Sequence, residues 1–395
     1  MFDLQLLILQ IGVVLAATRI LGYAFGRIGQ PQVVGEMTAG ILLGPSLLGR
    51  VAPGALAYLF PASGLDPLYA LSQVGLILFL FAVGQHVRLD EFRGLARSAV
   101  IASVSSIVVP FTLGGFLAIP LHRALSSPDV PFAAFVLFMG AAMSITAFPV
   151  LARILTERNL LNTRAGAIAI SCAAVDDVVA WCLLAGIMAV AAPLLPRFAG
   201  LIAYAVAMLL VVRPLLARYR PGLASALLVL LASSWSTEAL GVHALFGAFM
   251  AGLVMPRETD FAVKTESLIS VLLLPLFFAF TGLRTSITLV SGATLWFYCA
   301  AIIVVAIAGK LLGCALAIRS TGLPWRESFA VGALVNTRGL VELVILNIGL
   351  ERKIISPTLF SMMVIMALVT TFMTTPLLAF IYRGGLKPAP TSPAA

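Results

Sequence analysis

Long runs of apolar residues constrain this chain more than any other feature of its sequence. The runs are close to the length of about 20 residues that a helix needs to cross a bilayer, and connectors with charges, prolines or glycines separate them. Of the 395 residues, 61% are hydrophobic and 10% are charged, whereas a soluble domain carries about 25% charged residues. The sequence therefore predicts an all-α polytopic membrane protein with about 13 transmembrane helices. The predicted spans are 4–25, 31–49, 67–87, 95–120, 131–155, 165–191, 200–218, 222–239, 241–255, 266–284, 292–318, 328–350 and 357–382.

The distribution of basic residues predicts the orientation of these spans. One set of alternate connectors is rich in arginine and lysine. The basic residues of the other set are only Arg50, Arg123, Arg197, Arg284, Arg352 and Lys353. By the positive-inside rule the amino terminus is outside and the carboxyl terminus is cytoplasmic, and we expect the bacterial inner membrane. The net charge of +9 is then explained by topology and by contact with the lipid bilayer, so no nucleic-acid partner is predicted.

Two adjacent carboxylates, Asp176 and Asp177, lie midway along the apolar run 165–191. Each costs about 2.5–3.5 kcal/mol at a helix centre in a bilayer, which marks the pair as a functional-site hypothesis. Successive helical residues point about 100° apart, so we expect one carboxylate to face an ion pathway and the other a fixed countercharge. The candidate countercharge is Lys310, alone in the apolar run 300–318; a snorkelling lysine is the alternative.

The fifth and twelfth spans are interrupted at corresponding places, in the segments 143–149 and 335–340. Pro149 lacks an N–H donor and Gly339 weakens a helix, so both spans are predicted to be discontinuous. Polar residues able to satisfy the freed backbone groups are Ser144, Thr146, Asn336 and Thr337. Either break alone is explained by a simple kink, but broken spans in both halves of a chain are typical of an ion site at the membrane midplane.

Arg338 and Glu342 lie four residues apart beside the second break. At this spacing the two side chains form a pair if the backbone is helical. Together with Asn336, we interpret them as structural charges that neutralise each other and the ends of the half-helices. Direct cation binding by Glu342 is the alternative.

Three short segments of the first half are similar to segments of the second half, each seven spans later. An odd offset reverses the orientation in the bilayer, so the matches predict inverted repeats with two discontinuous crossing helices. The matched pairs are 35–40 with 247–252, 79–84 with 277–282, and 139–144 with 331–336.

A desolvated carboxylate such as Asp177 is unstable as a bare anion, so it is expected to hold either a proton or a cation. Competition for this one group, with access alternating between the two faces, suffices for cation/proton exchange without a cofactor. A sodium-coupled symporter of a small organic anion is the alternative that remains open. A potassium channel is disfavoured because no filter-like sequence is present. An aspartyl protease is disfavoured because neighbouring aspartates on one helix do not face each other.

Five motifs resemble those of one known family. The segments 29–36, 39–45, 144–153, 173–178 and 336–343 are similar to those of the monovalent cation/proton antiporters. The branch is the one that contains the plant cation/proton exchangers and bacterial sodium or potassium/proton antiporters. The resemblance covers all predicted spans and implies the sodium/proton antiporter fold.

The resemblance also implies a homodimer in which a core domain moves against a dimerisation domain, and a role in pH homeostasis. The expected domains are 1–93 and 222–290 for dimerisation, 94–191 and 291–383 for the transport core, 192–221 for a linker helix, and 384–395 for a short cytoplasmic tail. Because the chain stops shortly after the last span, the cytosolic nucleotide-binding domain of potassium-efflux relatives is expected to be absent.

The matching motifs imply roles for single residues of this chain. Asp177 matches the aspartate that carries the transported Na+ or K+ and the proton. Asp176 matches the acidic residue beside it in electrogenic members, and Lys310 the lysine that pairs with that residue. Thr146, with Ser144 nearby, falls in the unwound segment that lines the ion site. Many members carry Asn-Asp where this chain has Asp-Asp, so the pair implies electrogenic exchange with more than one proton per cation.

Overall fold

The computed structural model describes the chain except for a few connectors and the carboxyl-terminal residues. The described residues are 3–61, 64–86, 97–126, 130–158, 160, 163–191, 195–219, 222–240, 243–256 and 261–382. Some side chains inside helices, including those of Pro149 and Asp177, lie outside the description. So do the predicted tail 384–395 and residues 220–221 and 241–242, where the predicted spans 200–218, 222–239 and 241–255 meet.

Within these ranges the chain is helical, apart from one isolated β-bridge between Ser126 and Ile355. The first helices are α1 Leu4–Arg27, α2 Gln32–Leu43, α3 Leu48–Val51, α4 Pro53–Leu59, α5 Leu65–His86, α6 Arg97–Leu125, α7 Phe132–Ser144, α8 Phe148–Glu157, α9 Arg164–Ala191 and α10 Leu195–Ala207. The others are α11 Arg213–Tyr219, α12 Leu223–Ala239, α13 Ala244–Val254, α14 Phe261–Leu268, α15 Leu274–Leu283, α16 Gly292–Ile307, α17 Gly313–Arg319, α18 Trp325–Val335, α19 Leu340–Glu351 and α20 Pro357–Ile381. Three π-helical segments, Met208–Val212, Ile269–Leu273 and Ala308–Leu312, join α10 to α11, α14 to α15 and α16 to α17.

Each of the thirteen predicted apolar segments contains helix among its described residues. By length and composition, seven of the described helices are able to cross a membrane, or eight if the bent pair α18–α19 counts as one span. The fold is therefore all-helical with several membrane-spanning helices, and thirteen crossings stay a prediction. The fifth and twelfth segments are both discontinuous, at 145–147 and at 336–339, and the second is bent by 41°.

Contacts divide the chain into two compact units. Unit 1 consists of Met1–Ile20, Glu36–Asp90 and Ala185–Arg284, and unit 2 of Leu21–Gly35, Glu91–Leu184 and Thr285–Ala395. The assignment of a dimerisation role and a transport role to parts of the chain stays a prediction.

In unit 1, α5 packs against α13 and α15, around an apolar core that includes Leu68, Leu276 and Phe280. At two helix–helix contacts in this unit the backbones approach closely, because a glycine without a side chain lies at each contact. A Cβ atom at Gly40 of α2 would touch the carbonyl oxygen of Ala279 in α15, and one at Gly252 of α13 would touch the carbonyl oxygen of Phe81 in α5. Side-chain-free positions let helix backbones approach in this way.

The two contacts occupy positions that the sequence matches pair. In the match of 35–40 with 247–252, Gly40 corresponds to Gly252. In the match of 79–84 with 277–282, Phe81 corresponds to Ala279, and these are the residues whose carbonyl oxygens the two glycines face. The reciprocal contacts follow the same pairing, since Gly282 faces the carbonyl of Met37 and Gly84 faces that of Phe249. The pair α2–α15 and the pair α13–α5 are thus packed through equivalent residues.

Unit 2 brings together α6, α7, α16 to α20 and the first part of α9. Helix α6 packs against α7 and α17, and α20 packs against α16, α18 and α19. Both broken helices, α7–α8 and α18–α19, belong to this unit. The buried charges described below lie around the two breaks.

Candidate functional site

The Asp176 carboxylate is buried in the middle of α9. Its Oδ2 atom lies 3.2 Å from Nζ of Lys310, and both side chains are completely shielded from solvent. A buried charge of either sign is costly unless it is paired and hydrogen-bonded. The ion pair supplies the required counter-charge for both side chains.

Hydroxyl and thiol donors surround the same carboxylate. The Ser106 hydroxyl on α6 lies 2.9 Å from Oδ1 and 3.0 Å from Oδ2 of Asp176. The Cys172 thiol, one helical turn before Asp176, lies 3.8 Å from Oδ1 and 3.2 Å from the Ser106 oxygen. These donors occupy acceptor positions on both oxygens of the Asp176 carboxylate.

The first helix break supplies the remaining donor. The Thr146 hydroxyl lies 2.6 Å from Oδ2 of Asp176 and 3.0 Å from the carbonyl oxygen of Val335, and it accepts a hydrogen bond from Nζ of Lys310. Residues 145–147 are not helical, and the Thr146 side chain reaches across to α18 and α9. Thr146 thus joins both members of the ion pair to the second broken helix.

Lys310 lies on the π-helical segment Ala308–Leu312 between α16 and α17. Such segments are single wide turns inside α-helices and are frequent at functional sites. Gly309 lets α6 approach, because a Cβ atom there would meet the backbone of Pro110, and Gly332 lets α18 approach the carbonyl of Leu311. The close packing of α6 and α18 keeps water from the lysine, which is completely buried.

The two breaks cross each other through reciprocal hydrogen bonds. The backbone N–H of Ala147 donates to the carbonyl oxygen of Thr337 over 3.0 Å. The Arg338 guanidinium donates through Nη1 to Ala142 O at 3.0 Å and through Nη2 to Met143 O at 2.6 Å. These carbonyl groups belong to the last turn of α7, where carbonyl oxygens have no hydrogen-bond partner within their own helix. Arg338 therefore caps the negative end of α7 with a positive charge.

Glu342 lies one turn after Arg338 on α19. Its Oε1 atom is 3.2 Å from Nη1 of Arg338, and both side chains are completely buried. Neither carboxylate oxygen of Glu342 receives a hydrogen bond with normal geometry from the part of the chain that the structure describes. The contact is an ion pair without the aligned donors that Asp176 has.

The other polar residues predicted at the breaks lie close by but make different contacts. The buried Ser144 hydroxyl donates to the carbonyl oxygen of Ala141 in its own helix, over 2.8 Å. Nδ2 of Asn336 lies 3.8 Å from Sδ of Met373, and among the described atoms its Oδ1 has no hydrogen-bond partner. Asp177 follows Asp176 on α9, and its side chain lies outside the described residues.

Ser106 is the site residue that the sequence does not reveal. It is one of four serines on the apolar helix α6, with Ser98, Ser103 and Ser105. A serine in a helix commonly bonds a carbonyl of the preceding turn, as Ser105 does with Ala102 and as Ser106 itself also does with Ser103. No sequence signal distinguishes the serine whose hydroxyl reaches another helix.

The chain is similar to known proteins over nearly its whole length. A family model described as the transmembrane sodium/hydrogen exchanger matches residues 13–383. The chain is 41% identical to the Na(+)/H(+) antiporter NhaS4 of Synechocystis sp., over 96% of this chain and 98% of that protein. It is 40% identical to cation/H(+) antiporter 19 of Arabidopsis thaliana and 33% identical to K(+)/H(+) antiporter 1 of Saccharomyces cerevisiae. Those matches cover 98% and 99% of this chain but only 51% and 48% of the two proteins.

Among solved structures, the fold is similar to that of the sodium proton antiporter MjNhaP1 from Methanocaldococcus jannaschii. The TM-score is 0.62 at 15% sequence identity, over 96% of this chain and 98% of that one. The shared helical fold, the family match over residues 13–383 and the identity to the cyanobacterial protein agree with one another. The chain belongs to the sodium/hydrogen exchanger family of transmembrane transporters.

Proposed function

We propose that this protein is a secondary active antiporter that exchanges a monovalent cation, Na+ or K+, for protons by alternating access. In this proposal the cation and the proton compete for Asp177. The proposal is supported by membership of the exchanger family and by relatives named as Na+/H+ and K+/H+ antiporters.

The observation that carries the proposal is the buried Asp176–Lys310 pair beside the crossing of the two breaks. Asp176 is saturated with donors and is already neutralised by Lys310. Asp177 is the next residue on α9, and successive helical residues point about 100° apart. Asp177 is therefore the carboxylate of the pair that we assign to the transported ions, and Asp176 is its fixed neighbour.

The competition follows from elementary electrostatics. A carboxylate in a desolvated site is stabilised by one positive charge, from a proton or from a metal cation. Occupancy by one therefore excludes the other. Because the charges of Asp176 and Lys310 cancel, the net charge carried across the membrane in each step depends on Asp177 and on any further group that binds a proton. We infer electrogenic exchange from the Asp-Asp sequence.

The proposed organisation is that of a thirteen-span chain with inverted repeats, in which a transport core moves against a dimerisation domain of a homodimer. The equivalent contacts of Gly40 and Gly252 support the repeat. So do the two breaks, at which Thr146 and Arg338 occupy matched positions and each contacts the last turn of the other broken helix. The amino terminus is proposed to be outside and the carboxyl terminus cytoplasmic.

The proposed activity is tested in inverted membrane vesicles that carry an imposed pH gradient, read with a pH-sensitive dye. Addition of Na+ or K+ is expected to dissipate the gradient with the wild-type protein and not with Asp177→Asn. The ratio of the two responses ranks the ions. Vesicles with Glu351→Gln, a change at an exposed carboxylate, serve as the matched control and should behave as wild type.

Two outcomes would overturn the proposal in different ways. Activity that survives in Asp177→Asn would remove Asp177 from its role but keep cation/proton exchange. No cation response in the wild type, together with sodium-dependent uptake of an organic anion, would favour a symporter instead. Electrogenicity is tested separately, because clamping the membrane potential changes the rate only if net charge moves.

A further inference from the structure

We propose that Glu342 is a second proton-binding group of this transporter, and that a proton on Glu342 weakens cation binding through its charge. The part that concerns the cation rests on the function proposed above. The proton-binding part stands on the surroundings of Glu342 itself.

The Glu342 carboxylate is completely buried, yet neither of its oxygens accepts a hydrogen bond with normal geometry from the described residues. An ionised carboxylate has about four acceptor sites to satisfy, and leaving them unmet in a dry interior is expensive. A protonated carboxyl has a smaller demand and no net charge to desolvate. The surroundings of Glu342 thus support the neutral form of its carboxyl group, whereas the Asp176 carboxylate has several hydrogen-bond donors.

Loss of the charge on Glu342 does not isolate its partner. Arg338 donates to the carbonyl oxygens of Ala142 and Met143 at the end of α7, where the helix dipole offers roughly half a negative charge. When Glu342 takes a proton, the guanidinium keeps these two bonds and this compensation. Lys310 has no such second anchor, since its described contacts are Asp176 and Thr146.

Few charged groups act on Glu342. Helix α19 packs against α20 and α7, and neither of those helices contains a residue that titrates or carries a charge. On α19 itself the other carboxylate is the exposed Glu351. Among the described side chains, the charges that interact with Glu342 are those of Arg338 and, more weakly, Lys310. Among these described side chains, no second anion is in place to share the proton.

The described buried charges around the breaks are Asp176, Lys310, Arg338 and Glu342, and they cancel when all are ionised. A proton on Glu342 leaves one net positive charge in this region. One unit charge at about 10 Å, with an effective dielectric constant of about 20, changes a binding constant by about tenfold. Cation affinity is therefore expected to rise with pH as Glu342 loses its proton, in addition to the direct competition at Asp177.

The proton on Glu342 is tested by infrared difference spectroscopy of the full chain in lipid, between about pH 6 and pH 9. An exposed glutamate with an ordinary pKa of about 4.3 stays ionised throughout this range. Asp177→Asn serves as the parent protein, because a proton on Asp177 would give a band of its own. This parent is expected to show the C=O stretching band of a buried carboxylic acid that disappears as the pH rises. Adding Glu342→Gln should remove this band, while adding Glu342→Asp or the control Glu351→Gln should keep one. A band that is unchanged when Glu342→Gln is added, or the absence of any such band in the parent, would overturn the proposal.

The effect on the cation is tested by equilibrium binding of radioactive Na+ and of Rb+, a K+ substitute, to the wild type and to Glu342→Gln, both with Asp177 intact. Glu342→Gln has a fixed neutral side chain, so at high pH its dissociation constant for the cation should be about tenfold larger than that of the wild type. Its dissociation constant should also rise less than that of the wild type when the pH is lowered. Coinciding curves for the two proteins would remove the electrostatic role. If the wild type bound neither cation at any pH, the antiport proposal would fail, and the infrared band would still decide whether Glu342 holds a proton.

Discussion

Unit 2 contains two buried ion pairs that differ in how the acid is supported. In the first, Asp176 is 3.2 Å from Lys310 and also accepts hydrogen bonds from Ser106 and Thr146. In the second, Glu342 is 3.2 Å from Arg338 but has no aligned donor among the described residues. For the basic residues the support is reversed. Arg338 also binds two carbonyl oxygens at the end of α7, whereas the described partners of Lys310 are only Asp176 and Thr146.

This difference separates a fixed charge from an adjustable one. Neutralising Asp176 would leave three donors, Ser106, Cys172 and Thr146, without an ionised acceptor and a buried ammonium without a counterion. Neutralising Glu342 leaves Arg338 bound to the end of α7. We therefore expect the first pair to be a permanent part of the site and the second to change its charge during the cycle.

The largest effect is expected from Asp176→Asn. Removing one member of a buried, hydrogen-bonded ion pair costs about 3–5 kcal/mol, because Lys310 must either remain charged without a partner or lose its proton. The thermal unfolding temperature of the detergent-solubilised protein should fall accordingly. The double variant Asp176→Asn with Lys310→Met should recover much of the loss. Equal stability of the single variant and the wild type would contradict a permanent first pair.

The second largest effect is expected from Arg338→Met, which leaves the carbonyl oxygens of Ala142 and Met143 unpaired. A buried acceptor without a donor costs about 1–3 kcal/mol, so we expect about 2–4 kcal/mol in total. Since the cost arises at α7, it should be nearly the same when Glu342→Gln is present. A double-mutant cycle measures this coupling. Strong coupling, comparable to that of Asp176 with Lys310, would show that the two pairs are alike.

A smaller effect is expected from Ser106→Ala, which removes one donor from Asp176 while Thr146 and Lys310 remain. A hydrogen bond to a charged group contributes about 1.5–3 kcal/mol, and the remaining partners favour the lower end, about 1.5 kcal/mol. Ser105→Ala is the matched control, because both hydroxyls lie near a carbonyl of their own helix but only that of Ser106 also lies within hydrogen-bond distance of Asp176 among the described contacts. If both variants unfolded at the same temperature, the Ser106 hydroxyl would have no role in holding the carboxylate.

The smallest stability effect is expected from Glu342→Gln, below about 1 kcal/mol, because the substitution removes a charge that no described donor supports. Its consequence should appear in the pH dependence of cation binding and not in the unfolding temperature. Comparison with Glu351→Gln on the same helix isolates the effect of burial. A loss as large as that of Asp176→Asn would make Glu342 a fixed structural charge.

The sequence predicts the first ion pair because its two members are conspicuous. An aspartate pair and a single lysine within apolar runs are costly, and a costly charge in a membrane segment requires a partner. The breaks were also predictable, since Pro149 and Gly339 interrupt two apolar segments at matched places. Local spacing likewise predicts the contact of Arg338 with Glu342.

The remaining features depend on contacts between distant parts of the chain. That Arg338 binds the end of α7 follows from how the two broken helices cross, which no local pattern encodes. Ser106 is hidden among similar serines on α6 for the same reason. The unpaired oxygens of Glu342 are a property of the packed interior, so the spacing of Arg338 and Glu342 gives no indication of them.

The most direct test of the account is proton release on cation binding, measured with a pH dye in weakly buffered detergent solution. Competition for Asp177 predicts that Na+ or K+ releases protons from the wild-type protein at a pH where the site is partly protonated. It predicts no release from Asp177→Asn of comparable folded yield. Proton release that persists in Asp177→Asn, or cation binding to the wild type without any release across the pH range, would contradict exchange at a shared carboxylate.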